Sequence, residues 1–434
     1  MHRALRRALP TLRRRSSSEQ YASSTTIPQH AQCVIIGGGI IGTSTAYHLA
    51  KRGWSDVVLL EKHALTAGTT WHAAGLMVTF GSLSSTSTEW RKYSKELYQS
   101  LEAETGQSTG FLGCGFIELA TERDRLEEYR RVAAFNRKEG VDVQEISPRE
   151  VEELFPLCRT DDVLSGFYVQ DDGRVNPVDA TQALAKGFRM LGGTIIEGVE
   201  CKDIITENNA VIGLETSAGA IKTDYVVNCG GLWARELGSQ HGVLIPNQGA
   251  EHYYLLTDAM PEVDPSWPVV EDPRNYAYIR PEGGGLMVGL FEAEAASFDA
   301  SIPPFGEIEP DWDRLTPYLE KAMSRVPSVN EVGVKKLFCG PESFTPDLAP
   351  LIGEAPEVQR YFVAAGLNSI GILTGPGVGR TVANWIVDGA PDVDVCGFHV
   401  DRARDYQATP AYRLDRVKEA LGDVYKCHYP SRPA

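Results

Sequence analysis

A glycine-rich turn between two apolar runs is the feature that most constrains the fold of this chain. Residues 33–36 read Cys-Val-Ile-Ile and lead directly into Gly-Gly-Gly-Ile-Ile-Gly at positions 37–42. A helix is expected over about 40–52, and a second apolar run at 56–60 is followed by Glu61. A buried strand, a GxGxxG turn, a helix and a second strand form the βαβ unit that binds dinucleotides. The pattern predicts a parallel sheet with helices on its faces.

Each residue type in this unit has a physical role. Gly37 permits the tight turn, Gly39 lets the backbone approach a pyrophosphate, and Gly42 lets the helix pack closely on the strand. The pyrophosphate would lie on the N–H groups of the helix N-terminus, where the helix dipole favours negative charge. Glu61 follows Gly42 by 19 residues, which suits hydrogen bonds from ribose hydroxyls and disfavours the 2′-phosphate of NADP. The alternative is a glycine-rich turn that holds no ligand.

Charge is distributed unevenly along the sequence. The formal net charge is −16 over 434 residues, yet residues 1–22 hold six arginines and one acidic residue, Glu19. An Arg-rich, Ser-rich and acid-poor start is typical of a mitochondrial transit peptide. We assign residues 1–24 to such a peptide and expect the protein in the mitochondrial matrix, with a disordered basic tail as the alternative. The acidic remainder argues against a nucleic-acid partner, and no apolar run is long enough for a membrane span.

Length and cysteine usage set further bounds. A chain of this length favours two domains. Its eight cysteines are scattered without a CxxC pair, which is typical of reduced thiols and does not indicate a zinc site or a disulfide framework. No metal site is predicted.

A second segment of small residues follows the βαβ unit. Residues 66–76 read Thr-Ala-Gly-Thr-Thr-Trp-His-Ala-Ala-Gly-Leu, and such small side chains allow close approach to a flat ligand. His72 is the one histidine among them. From the residues alone, a hydrogen-bonded structural histidine and a reactive one both remain open.

Two motifs carry a resemblance to a known family. Gly-Thr-Thr-Trp-His-Ala-Ala-Gly-Leu at 68–76 and Gly-Pro-Glu-Ser-Phe-Thr-Pro-Asp at 340–347 resemble the sarcosine dehydrogenase and dimethylglycine dehydrogenase family of mitochondrial flavoenzymes. The resemblance implies FAD, covalently attached through an imidazole nitrogen of His72 to the 8α carbon of the flavin. It also implies electron-transfer flavoprotein as the electron acceptor.

The resemblance further implies an α/β fold similar to glycine oxidase and D-amino-acid oxidase. A Rossmann-like FAD-binding domain is then assembled from separate segments, which we place at 31–80, 165–245 and 335–400. A discontinuous α+β substrate domain takes 81–164 and 246–334.

Candidate site residues follow from these assignments. Strand alternation predicts that His252 and Tyr254 share one face and that Tyr276, Tyr278 and Arg280 share another. An arginine suits a substrate carboxylate, and histidine or tyrosine suits the amine proton, although simple packing of aromatic side chains in a sheet is equally open. The predicted catalytic residues are His252, Tyr278 and Arg280. The predicted cofactor-binding residues are Gly37, Gly39, Gly42, Glu61, Lys62, Thr70, His72, Gly75, Leu76, Gly366, Gly377 and Gly379.

A second glycine-rich stretch lies near the C-terminus. Gly-Pro-Gly-Val-Gly at 375–379 precedes an apolar run that predicts a helix over 380–387. A loop feeding a helix N-terminus would form a second anion site, which in related enzymes faces the flavin. Pro376 departs from the glycines common in relatives, and its missing N–H costs little if it precedes the helix.

The family resemblance leads to a functional expectation. Relatives continue into a folate-binding half, so residues 401–434 are expected to be a tail that begins a linker, and no tetrahydrofolate site is expected in this chain. The expected activity is oxidative demethylation of sarcosine or dimethylglycine by hydride transfer to FAD. A non-enzymatic protein similar to the pyruvate dehydrogenase phosphatase regulatory subunit is the alternative, because residues 251–257 resemble it. His72 discriminates between the two, since those regulatory relatives are expected to lack it.

Overall fold

The computed structural model describes residues 26–299 and 301–429, so the predicted transit peptide at 1–24 lies outside the described residues. These residues form two large sheets flanked by helices. The strands are β1 (His30–Ile36), β2 (Val57–Glu61), β3 (Leu76–Met77), β4 (Phe116–Ala120), β5 (Gln144–Ile146), β6 (Ser165–Val169), β7 (Gly173–Arg174), β8 (Thr194–Glu197), β9 (Cys201–Glu207), β10 (Ala210–Thr216), β11 (Gly219–Asn228), β12 (Gln248–Thr257), β13 (Val269–Asp272), β14 (Ala277–Glu282), β15 (Gly285–Leu290), β16 (Ser297–Phe298), β17 (Val334–Phe344), β18 (Leu351–Glu354) and β19 (Tyr361–Ala365).

Helices account for most of the remaining regular structure. The α-helices are α1 (Ile40–Lys51), α2 (Ser85–Thr105), α3 (Arg123–Lys138), α4 (Pro148–Leu154), α5 (Pro177–Met190), α6 (Ala234–Ser239), α7 (Trp312–Met323), α8 (Gly371–Asp388), α9 (Asp405–Ala408) and α10 (Pro410–Asp423). No helix among residues 26–299 and 301–429 is long and apolar enough to cross a membrane.

The first sheet confirms the predicted Rossmann-like unit. Its main order is β18-β19-β11-β1-β2-β8, and β1 pairs in parallel with both β2 and β11. The central strands are continuous apolar runs because both faces are covered. The largest hydrophobic cluster lies on one face, where the sheet packs against α1, α2, α5 and α8.

Local start signals in the sequence place several helices correctly. Ser147 and Glu150 form a capping box at the start of α4, each satisfying a backbone N–H of the other. The Asn176 side chain accepts hydrogen bonds from two N–H groups at the start of α5, and Pro177 occupies the first helical position, where its missing N–H costs little.

The second sheet forms the wall that faces the nucleotide-binding unit. Its main order is β16-β12-β15-β14-β13-β4-β6-β5, and β17 pairs with β12. The strands β6 and β17 therefore pair in this sheet, although the segments 165–245 and 335–400 assign most of their residues to the FAD-binding part. The division of the chain into domains stays a prediction.

Helix α8 differs from its sequence-based expectation. It begins at Gly371 and includes Pro376, so the predicted loop at 375–379 and helix start at 380 are wrong. Gly377 lies against Trp90 of α2, and a Cβ there would lie 2.5 Å from the Trp90 Cα. A Cβ on Gly379 would overlap Ser44 of α1. The glycines serve close helix packing.

Pro376 within α8 removes one backbone donor, and neighbouring helices compensate. The carbonyl of Ile372, four residues earlier, accepts a hydrogen bond of 2.8 Å from the buried Tyr98 hydroxyl. The Gly377 N–H donates to Ser94 Oγ at 3.3 Å. Tyr98 and Ser94 belong to α2, so side chains of α2 satisfy backbone groups of α8 that the proline leaves without helical partners.

Of residues 401–429, the first few pack on the first sheet, and α10 with the residues after it packs on the second. Helix α10 buries Val417, Ala420 and Leu421 in a cluster with residues of that sheet, and Arg413 donates to the Gln248 side chain at the start of β12. The stretch predicted to be a tail therefore forms part of the folded body up to residue 429.

Candidate active site

The glycines of the first turn lie where side chains cannot be accommodated. Gly37 has a φ of 112°, and a Cβ there would overlap the carbonyl of Cys229 at the end of β11. A Cβ on Gly42 would overlap the Gly37 carbonyl, so this glycine lets α1 start directly over the turn. Gly39 is the N-cap residue of α1. The turn leaves the N-terminus of α1 open to an anion.

Glu61 and Thr70 hold the turn in place. One Glu61 carboxylate oxygen accepts from the Gly38 N–H at 2.7 Å, and the other accepts from the His63 N–H at 2.8 Å. Thr70 Oγ1 accepts from the Ile40 N–H at 3.2 Å. Glu61 and Thr70 both line the cleft above the turn.

The cleft has a volume of about 1050 Å³ including its open mouth. Besides the first turn, the cleft is lined by residues at the ends of β11 and β19 and at the start of α8. The sequence had predicted only some of these residues as cofactor-binding. Gly366, predicted to bind the cofactor, lies in this lining with a φ of 67°. The other lining residues from these elements are Cys229–Trp233, Leu367, Asn368, Ser369, Gly371 and Ile372.

Lys62 lies outside the cleft in an adjoining cavity. The two spaces share Gly37, Glu61 and Trp233 in their lining. The Lys62 ammonium lies 3.8 Å from the centroid of the Trp233 ring, which is cation–π geometry. Lys62 thus fixes the tryptophan that closes this end of the cleft.

A second cavity, the substrate cavity, opens beside the cleft and has a volume of about 1020 Å³ including its mouth. The two spaces share Ala73, Glu342, Ser369 and Ile372. The substrate cavity lies between the segment 72–76 and the second sheet, with Gly75 and Leu76 in its lining. Gly75 has a φ of 72°.

His72 lies at the junction of the two spaces. It is 6% exposed, and its Nε2 has no hydrogen-bond partner among the described residues. Burial lowers the pKa of His72 to about 4, so the ring is neutral at pH 7. Gly340 makes room for it, because a Cβ there would lie 2.8 Å from ring atoms. A buried ring nitrogen without a hydrogen-bond partner is unusual, and a bound ligand could supply the missing interaction.

One transverse row of the second sheet forms the floor of the substrate cavity. Directly paired residues of adjacent strands share a face, and the pairings run across seven strands. The row, which we call the floor row, consists of Phe167, Glu118, Glu271, Tyr278, Gly289, Tyr254 and Phe338. A Cβ on Gly289 would overlap the Tyr278 ring, so the missing side chain lets Tyr278 lie flat. Five of the seven residues line the cavity.

His252 lies two residues before Tyr254 on the same face and also lines the cavity. Its Nδ1 lies 2.9 Å from a Glu342 carboxylate oxygen, and its Nε2 lies 2.7 Å from the Leu290 carbonyl. Both neighbours accept hydrogen bonds, so both ring nitrogens carry protons and the ring is an imidazolium. Burial alone would lower the pKa of His252, but Glu342 raises it above the ordinary value.

The structure brings Tyr278 into the cavity but not Arg280. Arg280 donates to the Glu282 carboxylate and to the Pro281 carbonyl, and it is absent from the lining. Tyr276, which the alternation pattern placed on their strand, precedes β14 and adopts a left-handed conformation with a φ of 56°. The roles of His252, Tyr278 and Arg280 stay predictions.

Four charged residues of the cavity were missing from the predicted site residues. Three of them lie outside the motifs, and the fourth, Glu342, lies within the motif at 340–347. Arg91 of α2, Glu118 of β4 and Glu271 of β13 all contribute to the lining. A signal was present in the latter two acids, because Glu118 is the single charge of the buried strand β4 and Glu271 directly follows two buried valines in β13. Such a charge is costly unless a partner or a ligand compensates it.

A cleft over a GxGxxG turn that adjoins a second cavity is the arrangement expected of a cofactor-dependent enzyme. Comparison with known families makes this specific. Residues 32–385 match the family described as FAD dependent oxidoreductase, and residues 388–434 match the FAD dependent oxidoreductase central domain. The chain belongs to the FAD dependent oxidoreductase family.

Curated relatives confirm the resemblance seen in the motifs. The 4-methylaminobutanoate oxidase (formaldehyde-forming) of Paenarthrobacter nicotinovorans is 36% identical, over 94% of this chain and 50% of that protein. The mitochondrial sarcosine dehydrogenase of Homo sapiens is 36% identical over 94% and 45%, and the mitochondrial dimethylglycine dehydrogenase of Rattus norvegicus is 36% identical over 96% and 50%. The mitochondrial pyruvate dehydrogenase phosphatase regulatory subunit of Mus musculus is 37% identical over 96% and 48%. The chain spans about half the length of these relatives.

Solved structures confirm the fold class. The L-proline dehydrogenase from P. horikoshii has a TM-score of 0.78 and 26% identity, covering 90% of this chain and 100% of that chain. The glycine oxidase from Geobacillus kaustophilus has a TM-score of 0.73 and 27% identity, covering 87% and 100%.

Proposed function

We propose that this chain is the oxidising part of an FAD-dependent dehydrogenase that demethylates an N-methylated glycine, sarcosine or dimethylglycine. The observation that carries the proposal is the position of His72, which lines the substrate cavity next to Ala73, a residue shared with the nucleotide cleft, and whose buried Nε2 has no hydrogen-bond partner among the described residues. The names of the sarcosine and dimethylglycine dehydrogenase relatives support the substrate class.

The residues present fit FAD. The N-terminus of α1, with Gly37, Gly39 and Gly42, would hold the pyrophosphate, and Glu61 would hold a ribose. Thr70, Gly366 and the start of α8 line the remainder of the cleft. A neutral imidazole is a nucleophile, so His72 is the residue that would hold the flavin covalently.

FAD supplies a two-electron acceptor for the hydride of the N-methyl carbon. The chain supplies position and charge. The floor row forms a flat wall against which a small amino acid would lie, and Tyr425 and Phe291 help to close the far side of the cavity. The His252 imidazolium and the Glu342 carboxylate form a neutral pair at the boundary with the cleft, so they add a fixed dipole without a net charge.

We assign the further parts of the reaction by similarity. The oxidised product is an imine, which water would convert to formaldehyde and the demethylated amino acid. Electron-transfer flavoprotein is proposed as the acceptor and the mitochondrial matrix as the location, because several relatives are named mitochondrial dehydrogenases.

An anaerobic titration tests the proposal. The purified flavoprotein is titrated with sarcosine, dimethylglycine, 4-methylaminobutanoate and proline while the flavin absorbance near 450 nm, about the usual maximum of oxidised flavins, is followed. We expect bleaching by sarcosine or dimethylglycine at lower concentrations than by the other two. Preferential bleaching by proline or 4-methylaminobutanoate would contradict the assigned substrate.

A regulatory protein is the second candidate function, and the 37% identity to the phosphatase regulatory subunit favours it. This alternative predicts that none of the four amines bleaches the flavin. His72 argues against it, because its neutral ring presents a buried Nε2 without a hydrogen-bond partner among the described residues, as attachment of a flavin requires.

A further inference from the structure

Glu118 and Glu271 occupy directly opposed positions on the adjacent parallel strands β4 and β13. Adjacent strands lie about 4.8 Å apart, and paired residues of parallel strands point to the same face. Both side chains therefore enter the substrate cavity next to each other, with Tyr278 as the next residue of the floor row.

The surroundings of this carboxylate pair are incomplete. Glu118 accepts a hydrogen bond from the Tyr129 hydroxyl. Arg91 donates to the carbonyls of Val78 and Phe80, and its Nε has no partner among the described residues. Buried charges and donors without partners are costly unless a ligand completes them.

A separate observation points to the same place. Tyr425, which follows α10, is 6% exposed and lines the cavity beside the pair. Its hydroxyl lies beside the Glu271 carboxyl group, whose pKa burial raises and a hydrogen bond from Tyr425 lowers in part. A hydroxyl, two carboxyl groups and a guanidinium that line the same cavity mark a subsite for a polar ligand group.

Burial and mutual proximity favour protonation of this carboxylate pair. Burial raises the pKa of Glu118, and burial together with the charge of Glu118 raises the pKa of Glu271 well above its ordinary value. Two adjacent carboxylates do not both ionise readily, and the larger rise for Glu271 makes Glu118 the more acidic of the two. The other charged and titratable groups around the pair are Arg91 on α2, Arg125, Glu128 and Tyr129 on α3, Tyr278 on β14, and Tyr425.

The other groups of the cavity are poor proton acceptors. Both nitrogens of His252 already carry protons, as their two acceptors require. The low pKa of His72 makes it a weak base. Burial raises the pKa of the Tyr278 hydroxyl, which therefore keeps its proton.

We propose that the Glu118–Glu271 pair is the base that removes the ammonium proton of the bound substrate before oxidation, an inference that rests on the proposed function. The N–H bond breaks, its electron pair stays on nitrogen, and the proton moves to the Glu118 carboxylate. The neutral amine is then ready to lose hydride to the flavin. The doubly protonated pair returns one proton to water after the product leaves.

Rapid-mixing measurements of flavin reduction test this role in the full-length holoenzyme. Glu118→Gln is expected to lower the limiting rate at pH 7 by about 10²–10⁴-fold, the usual range for loss of a general base. The loss shrinks at least about tenfold near pH 10, close to the pKa of an alkylammonium group, because solution then supplies free amine. Glu271→Gln shifts the pH profile to lower pH, since Glu118 loses its like-charged neighbour.

Matched variants separate this role from a structural one. Glu118→Asp keeps the carboxylate and is expected to recover part of the rate. Glu215→Gln changes an exposed carboxylate in β10 of the first sheet and is expected to leave rate and pH profile unchanged. Wild-type rate and pH profile in Glu118→Gln would overturn the inference.

Binding of glycine betaine gives a readout that does not depend on oxidation. Betaine has a fixed cation and a carboxylate but no transferable proton. Glu118→Gln is expected to weaken its binding at least about tenfold, measured by calorimetry, and unchanged binding would overturn the inference. If no N-methyl amino acid bleaches the wild-type flavin, the proposed function fails, and the betaine result still decides whether the pair recognises an ammonium group.

Discussion

Two acceptors set the protonation state of His252. The Glu342 carboxylate and the Leu290 carbonyl each take one ring N–H, and Glu342 raises the pKa of His252 against the effect of burial. In return, His252 lowers the pKa of Glu342, although burial alone would raise it. A raised histidine pKa stabilises the fold below about pH 6.5, and this contribution is lost as the pH rises through the folded-state pKa. A lowered Glu pKa stabilises it above about pH 4.3 and is lost on acidification through the folded-state pKa.

Glu342→Gln is therefore expected to lower the free energy of unfolding by about 3 kcal/mol, because it leaves a buried cation unpaired. The difference from wild type should be largest near pH 5–6, about midway between the two unfolded-state pKa values, and should decrease at alkaline pH. Urea unfolding of the holoprotein across this range measures it, with Glu215→Gln as the control. A difference that does not vary with pH would contradict the ion pair.

Among single residues, the sequence allowed prediction of those whose role depends on near neighbours in the chain. Gly37, Gly42 and Glu61 lie within one βαβ unit; Gly37 and Glu61 line the cleft, and Gly42 packs against the Gly37 carbonyl. Arg91 and Glu118 were missed because their shared cavity results from folding α2 and β4 over the same space. Arg280 was favoured by strand alternation, but its charge is taken by Glu282, two residues away.

Helix α8 shows how tertiary contacts override a local pattern. Gly-Pro-Gly is a turn signal in isolation, yet here it lies inside an 18-residue helix. The glycines allow α1 and α2 to approach. The Tyr98 hydroxyl donates a hydrogen bond to the Ile372 carbonyl, which lacks its usual helical donor because Pro376 has no N–H. Sequence alone does not reveal such a donor, because Tyr98 lies far from Pro376 along the chain.

Tyr98→Phe is expected to lower the free energy of unfolding by about 1–3 kcal/mol, since it leaves the buried Ile372 carbonyl without a donor. Equilibrium urea unfolding of both proteins measures the change. Tyr406→Phe is the matched control, because Tyr406 is 57% exposed and its loss should cost less than about 0.5 kcal/mol. Equal stabilities of the two variants would show that the Tyr98 hydroxyl does not compensate for Pro376.

In the whole molecule, each of the two sheets forms one of the two cavities, and the cavities adjoin next to His72. The first sheet and α1 provide the nucleotide cleft, and the second sheet provides the floor row. The motif around His72 made the cofactor class predictable, whereas the floor row depends on the register of seven strands drawn from 116–344. Strand register over such separations is set by the folded core and is not readable from local pattern.

Acid precipitation tests the attachment of FAD at His72 most directly. The holoprotein and its His72→Ala variant are precipitated with acid, and flavin absorbance is measured in pellet and supernatant, followed by mass spectrometry of the peptide that contains residue 72. We expect the wild-type flavin to stay in the pellet on that peptide and the variant to release its flavin into the supernatant. Release of free FAD from the wild-type protein would contradict the covalent role of His72.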